Sequence, residues 1–334
     1  MSKYSISIIE DPNEILKYLS IGISIPIWAD FKKYILYDFK YFDAKSLLLK
    51  EDGNIKGHCL LYHIGTDLLY FGYFGVISDD RNDTSILLDE LIKFAHNNNY
   101  RSIIGPINIP AIIFGWGFME EGSDTSLYIG KPVNPPIYKE MFLASGFKTK
   151  FEEGTWEAKI VKINPWKIKK YDFSDYELLN PNNRQELMDL KEDFLEIHAR
   201  NLPEASRITP NVADLFDNYK DFVLDFGDYF MFSFVKYNPT KEIIASSMCL
   251  PNPFRKDDYG NYDSLVGYSW VVDKVHRVKG IGMLMYGSMT IMALQKNFNY
   301  CSGPVSMDNE NTKKFAKSVD YDLKRRHIIL ENSL

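Results

Sequence analysis

The sequence predicts an α/β protein built as two tandem halves that share one order of strands and helices. Three observations carry this. The chain has 334 residues, more than a single core usually organises, so about two domains are expected. Gly72-Tyr73-Phe74-Gly75-Val76-Ile77 matches Gly267-Tyr268-Ser269-Trp270-Val271-Val272, and an amphipathic segment follows each. Those segments end in Asn99-Tyr100 and Asn299-Tyr300, and each leads into a short apolar run ending in Gly-Pro, at Gly105-Pro106 and Gly303-Pro304.

In the first half, Ser46–Leu49 and Lys56–Tyr62 flank Glu51-Asp52-Gly53-Asn54 and read as a β-hairpin, because Asp-Gly suits a two-residue turn. Leu68–Ile77 is a long β-prone run. Ile86, Leu87, Leu91 and Phe94 recur at helical spacing, and Ser102–Ile104 is the next strand. In the second half, Leu187, Leu190, Phe194 and Ile197 predict one helix stopped near Leu202-Pro203, and Val212–Phe226 predicts another. Tyr229–Val235 turns at Asn238-Pro239-Thr240 into Ile243–Leu250. Leu265–Val272 is a strand, Met283–Asn297 a helix, Tyr300–Val305 a strand, and Ile328–Leu330 a closing strand. The boundary is expected around Gly154 and the Asn164-Pro165 break, giving domains over 1–155 and 165–334.

Composition narrows the partners. A net charge of -6 and a pI of about 5.6 exclude a general affinity for nucleic acid, which needs clustered cations. No apolar run reaches the roughly 18 residues of a membrane span. Cys59, Cys249 and Cys301 are odd in number and far apart, so they form neither a disulfide framework nor a metal pair. His58, His63 and His96 lack partners at metal spacing. A cytoplasmic protein without metal or membrane is the expectation.

The chemistry concentrates at Arg277-Val278-Lys279-Gly280-Ile281-Gly282. This turn directly follows a strand and opens a helix, so free backbone N–H groups and the positive end of the helix dipole converge on one spot. That is an anion site, and glycines let a phosphate approach the backbone. A dinucleotide-binding loop would need a third glycine where Met285 or Tyr286 stands, and the G-x-x-x-x-G-K-[ST] pattern of a nucleotide P-loop is absent. The pattern [Arg/Gln]-x-x-Gly-x-[Gly/Ala] between strand and helix resembles that of the GCN5-related N-acetyltransferase (GNAT) superfamily, where it binds the pyrophosphate of coenzyme A. The segment Asn309–Tyr321 resembles the superfamily's Asn-x-x-Ala-x-x-Leu-Tyr-x-Lys-x-Gly-Phe stretch: Asn309 falls on the Asn, Phe315 on the apolar position and Tyr321 on the terminal aromatic. Two positions depart from it: Ala316 stands where many members carry a tyrosine that protonates the departing thiolate, and Asp320 replaces a glycine.

The resemblance covers about residues 171–334. It implies two tandem GNAT-like domains, each a mostly antiparallel, splayed sheet flanked by helices. It implies acetyl-CoA as co-substrate, held by Val271, Val272, Arg277, Val278, Lys279, Gly280, Ile281, Gly282 and Asn309. Backbone N–H groups of Leu265–Val272 would polarise the thioester, and splay from Tyr300–Val305 would admit the pantetheine arm. The acceptor would be an amine of a small molecule or protein. The general base is not identified. His198, ending a helix beside the loop Arg200–Pro210, and Tyr268 are the candidates, set against a helix cap for the first and core packing for the second. His276 is expected to be a solvated neighbour of the phosphate, Glu196 a solvated residue and Cys301 core. The loop Asn252–Gly260 either covers the acceptor or is a polar tip.

In the first half the counterpart of the glycine turn reads Asp79-Asp80-Arg81-Asn82-Asp83-Thr84-Ser85. Three aspartates repel pyrophosphate, and Thr84 or Asp83 is expected as an ordinary N-cap. A degenerate copy without cofactor that braces the active half or walls its substrate cleft follows. Two other functions fit the same residues: an acyl-CoA or amino-acid sensor without turnover, and an aminoacyl or long-acyl transferase.

Overall fold

The computed structural model describes residues 3–334 apart from Thr66, Asp79, 123–125, 162–168 and 202–214. The Asn164-Pro165 break, Leu202-Pro203 and the start of the expected helix at Val212 lie outside the described residues. Contacts divide the chain into two compact units. Unit 1 comprises Met1–Gly154, Ser306–Glu310 and Lys324–Leu334, and unit 2 comprises Thr155–Val305 and Asn311–Leu323. No described helix is long and apolar enough to cross a membrane.

In unit 1, strands β1 (Tyr4–Ile9), β2 (Lys45–Glu51), β3 (Asn54–His63) and β4 (Leu68–Val76) form an antiparallel meander, and β4 pairs in parallel with β5 (Ser102–Gly105). The β2–β3 hairpin closes Glu51 on Asn54, with Asp52 at φ 49° and Gly53 at φ 84°. Two consecutive left-handed residues match the right-handed strand twist, which is why Asp-Gly was legible as the turn. Helix α1 (Lys32–Tyr41) precedes β2. Helix α2 (Arg81–Asn97) crosses from β4 to β5 and buries Leu87, Leu88 and Leu91, and α3 (Pro136–Ala144) adds Tyr138 and Phe142. Phe71, Phe74, Phe118 and Phe142 meet in this core with ring centroids 4.9–6.4 Å apart.

The run Ile328–Leu330 is indeed in a strand, Asp322–Ser333, numbered β13 as the last in the chain. It pairs antiparallel with β5 and with β6 (Phe118–Gly122), among other neighbours, and Ile328 and Leu330 are buried in the unit 1 core. Apolar alternation announces a strand but carries no information about which edge receives it. Strand β7 (Lys148–Lys159) begins in unit 1 and ends in unit 2.

Unit 2 repeats the plan. β8 (Tyr176–Leu179), β9 (Phe232–Tyr237), β10 (Glu242–Pro251) and β11 (Ser264–Val272) pair antiparallel in order, and β11 pairs in parallel with β12 (Tyr300–Ser306). The single helix expected over Leu187–Ile197 is two: Arg184–Asp189 and α4 (Lys191–Asn201), with Leu190 between them at φ -98° and ψ 3°. Helix α5 (Phe216–Phe226) follows. Tyr229–Met231 is a 3₁₀ turn that precedes β9 rather than part of the strand. Helix α6 (Ile281–Gln295) joins β11 to β12, and α7 (Glu310–Ser318) carries the Asn309–Tyr321 segment. α6 is apolar nearly all round and buries Ile281, Met285, Tyr286, Met289 and Ala293.

Candidate functional site

In unit 2 the parallel ladder of β11 and β12 runs only from Ser264↔Tyr300 to Val266↔Ser302, although β11 continues six residues further to Val272. Past that point β11 is laddered to β10 alone, with Val271 on Ser246 and Val272 on Ala245. The register also slips there. Cys249 faces Gly267 and Met248 faces Ser269, so Tyr268 is the extra residue of a β-bulge. Bulges re-aim backbone and side chains, and they concentrate beside active sites. Tyr268, half-buried, marks the bulge.

β11 delivers the chain to a 3₁₀ turn, Lys274–Lys279, which ends at Gly280 with φ 82°. Only glycine takes this conformation without strain. A Cβ there would also lie 2.4 Å from the Tyr171 ring. Gly280 is at once the end of the turn and the N-cap of α6, so the N-cap has no side chain to offer, and among the described residues none is seen capping that helix. The Leu284 N–H bonds the Gly280 carbonyl at 3.0 Å, leaving the first-turn N–H groups of Ile281, Gly282 and Met283 directed outward along the axis. Among the described residues, an added Cβ at Gly282 would meet only Phe315 Cε2, at 3.9 Å. Phe315 also packs its ring 5.8 Å from that of Tyr286. A 15-residue helix with an uncapped N-terminus and an open glycine in its first turn fits a pyrophosphate group.

The predicted cations serve differently. Arg277 folds back, with Nε donating to Val272 O at 2.9 Å and Nη2 to Asn201 O at 3.2 Å, so it ties the turn to the ends of β11 and α4. Lys279 Nζ stands 6.0 Å from the Tyr237 ring centroid. His276, expected in solvent, is buried against Tyr176 and Tyr237, with Nδ1 3.0 Å from the Tyr176 hydroxyl. Burial and the Lys279 charge hold its pKa below the usual imidazole range. Asn309 belongs to unit 1, where its N–H bonds Ser306 O at 3.1 Å. Ala316 is buried with Trp156, Val305 and Tyr321.

His198 is buried at the end of α4, 6% exposed. Its Nδ1 lies 2.7 Å from Phe194 O, with Ser246 Oγ at 3.2 Å, and its Nε2 lies 2.5 Å from Ser269 Oγ. A carbonyl only accepts, so Nδ1 carries the proton and Nε2 is bare. Ser269 must then donate its hydroxyl proton to Nε2. Burial pushes the His198 pKa down to about 4, so the ring is neutral near pH 7. Neither Ser246 nor Ser269 stands out in the sequence alone. One signal was present: the repeat aligns Ser269 with Phe74, a core residue of unit 1.

The loop after β10 is ordered. Arg255 donates to Glu157 at 2.7 Å and lies 3.7 Å over the Tyr300 ring, while Asp257 accepts from the N–H groups of Tyr259 and Asn261.

Unit 1 fills the same features with its own chain. Its β4–β5 ladder likewise stops early, at Tyr70↔Ile104, but Ile107 N–H then bonds Phe71 O at 2.7 Å. Its bulge holds Tyr73 at φ 46°, with the Tyr73 N–H on Asn108 Oδ1 at 2.6 Å. The N-cap of α2 is Asp80, not Thr84 or Asp83, and its carboxylate accepts from Asn82 N–H at 2.8 Å and Asp83 N–H at 3.0 Å. A protein carboxylate thus occupies the helix terminus that unit 2 leaves open. A cavity of about 370 Å³ lies in unit 1 beside Ile21, Gly22, Val76, Asn134 and Tyr138. Among the described residues no group of three His, Cys, Asp or Glu side chains is placed to hold a metal ion.

A strand that parts from its parallel neighbour beside a bulge and leads into a helix, in two copies of which only the second is opened by glycine, fits a tandem GNAT fold, and the chain shares that fold with solved structures. It superposes on a tandem GNAT protein from the clavulanic acid biosynthesis pathway, in a structure without acetyl-CoA, over 98% of both chains, with a TM-score of 0.64 and 10% identity. The GCN5-related glucosamine N-acetyltransferase region of a fungal multi-domain GH3 β-N-acetylglucosaminidase matches with the same TM-score and 12% identity, over 99% of this chain and 38% of that one. A GCN5-related N-acetyltransferase from Sphaerobacter thermophilus matches at 0.57 with 8% identity, over 98% and 95%. No family model and no curated protein matches the sequence.

Proposed function

We propose that this protein is an N-acyltransferase that uses acetyl-CoA, with its one cofactor site in unit 2. The single observation that carries the reading is the open N-terminus of α6, where Gly280 supplies the left-handed turn and Gly282 leaves the approach clear. The first-turn N–H groups of α6 hold the pyrophosphate. The acyl-pantetheine arm lies where β11 runs past the end of its ladder with β12, and the β11 backbone at the bulge polarises the thioester carbonyl. A neutral amine of a small molecule or protein attacks it. Arg277 and Tyr171 are structural parts of the turn in this reading, and Asp80 excludes a second pyrophosphate from α2. Three free, buried thiols suit a reducing cytoplasm.

A second reading, acyl-CoA sensing without turnover, is favoured by one feature: the position of the family's tyrosine acid is filled by buried Ala316. Calorimetry with CoA, followed by thiol release from acetyl-CoA across a panel of primary amines, decides between them. Acceptor-dependent release is the expected result. Binding without release supports the sensor, and no binding refutes both.

A further inference from the structure

We infer that Ser269 and His198 form a proton shuttle that serves as both base and acid of the transfer, replacing the tyrosine missing at Ala316. The inference rests on the acyltransferase reading above. Its support is geometric. Ser269 stands next to the Tyr268 bulge on β11, past the last rung to β12, and is half-buried rather than enclosed. Its proton is committed to His198 Nε2, 2.5 Å away, leaving oxygen lone pairs for a substrate N–H. Phe194 O fixes the tautomer from behind, completing the order of nucleophile-side hydroxyl, imidazole and orienting acceptor that activates hydroxyls generally.

A serine–histidine contact is not sufficient evidence by itself, and unit 1 supplies the counterexample. Ser46 Oγ lies 2.7 Å from His58 Nε2, but both side chains are wholly buried and reach no substrate. Exposure and position distinguish Ser269.

As the amine nitrogen forms its bond to the acyl carbon, it loses a proton to Ser269 Oγ, whose own proton passes to His198 Nε2. When the carbon–sulfur bond breaks, its electron pair leaves with the sulfur. The His198 proton returns through Ser269 Oγ to that sulfur, and the products are an amide and a free thiol. Burial makes His198 a weak base but its imidazolium a strong acid, so the return to a thiolate, whose ordinary pKa is about 8.5, is downhill. The loss on the first transfer is recovered on the second.

The test uses acetyl-CoA with a panel of primary amines. Ser269→Ala and His198→Gln each lower kcat by roughly 10²-fold or more, with CoA affinity by calorimetry unchanged. Ser269→Thr restores most of the rate, and the double variant is no slower than the slower single one. Wild-type kcat in Ser269→Ala, or losses that multiply in the double variant, overturn the shuttle and leave acyl transfer standing. A wild-type protein that releases no thiol with any amine overturns the acyltransferase reading and the shuttle with it. A readout without substrate is ¹⁵N NMR of the imidazole: Nδ1 protonated, Nε2 bare, and the Nε2 resonance displaced in Ser269→Ala. A protonated Nε2 in the wild-type protein at pH 7 overturns the shuttle.

Discussion

Replacing Gly282 by aspartate separates cofactor binding from folding, because the two should respond in opposite directions. Among the described residues the Cβ at 282 meets only Phe315 Cε2, at 3.9 Å, and the position has no left-handed φ to strain. An acidic residue in the first turn of a helix adds about 0.3–1 kcal/mol through the dipole, and removing a helical glycine adds more. Gly282→Asp should therefore melt at or above the wild-type temperature. The same carboxylate stands where the proposed function puts the pyrophosphate. Two unit charges about 4 Å apart near a protein surface repel by about 4 kcal/mol, roughly a thousandfold in Kd. Calorimetry with CoA and a thermal melt on the same preparation measure both. Wild-type affinity in Gly282→Asp would refute the assignment of the turn. Gly280→Ala makes the useful contrast: its φ of 82° and the Tyr171 ring 2.4 Å from the added carbon predict a loss of stability of about 1–2 kcal/mol or more, with binding lost as a consequence.

Other consequences are directly measurable. Asp80→Ala removes the α2 cap and should cost about 1 kcal/mol by denaturant titration, while CoA affinity stays at the wild-type value. His58 is buried beside Ser46, with its pKa lowered by burial from 6.5 to about 4. The unfolded chain therefore binds its proton first. Stability from this group is complete above about pH 6.5 and falls as pH drops toward 4, by about 3 kcal/mol (2.5 pK units at 1.36 each). The His58→Gln variant should show a flatter acid limb in melts between pH 7 and 4, and an unchanged limb would contradict the buried neutral state.

Local chemistry made much of this molecule legible in advance. Asp52-Gly53 announced its hairpin because few residues tolerate two left-handed positions, and Gly280 announced the turn for the same reason. The strand-turn-helix order around Gly280 was readable because β11 and α6 have different apolar periods. What stayed hidden was long-range. Arg277 looked like a charge for a phosphate, and nothing in its neighbourhood reveals that Val272 O and Asn201 O hold it. His198 and Ser269 are 71 residues apart, and a serine in a strand gives no sign of the helix it faces. The Tyr268 bulge is a slip of register between strands, so no single strand encodes it. The destination of β13 is likewise a matter of which edge is open, not of its own alternation.

A crystal structure with CoA shows which of the two helix termini holds the cofactor. Pyrophosphate oxygens are expected within hydrogen-bond distance of the Gly282 and Met283 N–H groups, with the thiol end near Tyr268 and Ser269. Pyrophosphate bound at Asp80, or anywhere away from the first turn of α6, would contradict this assignment.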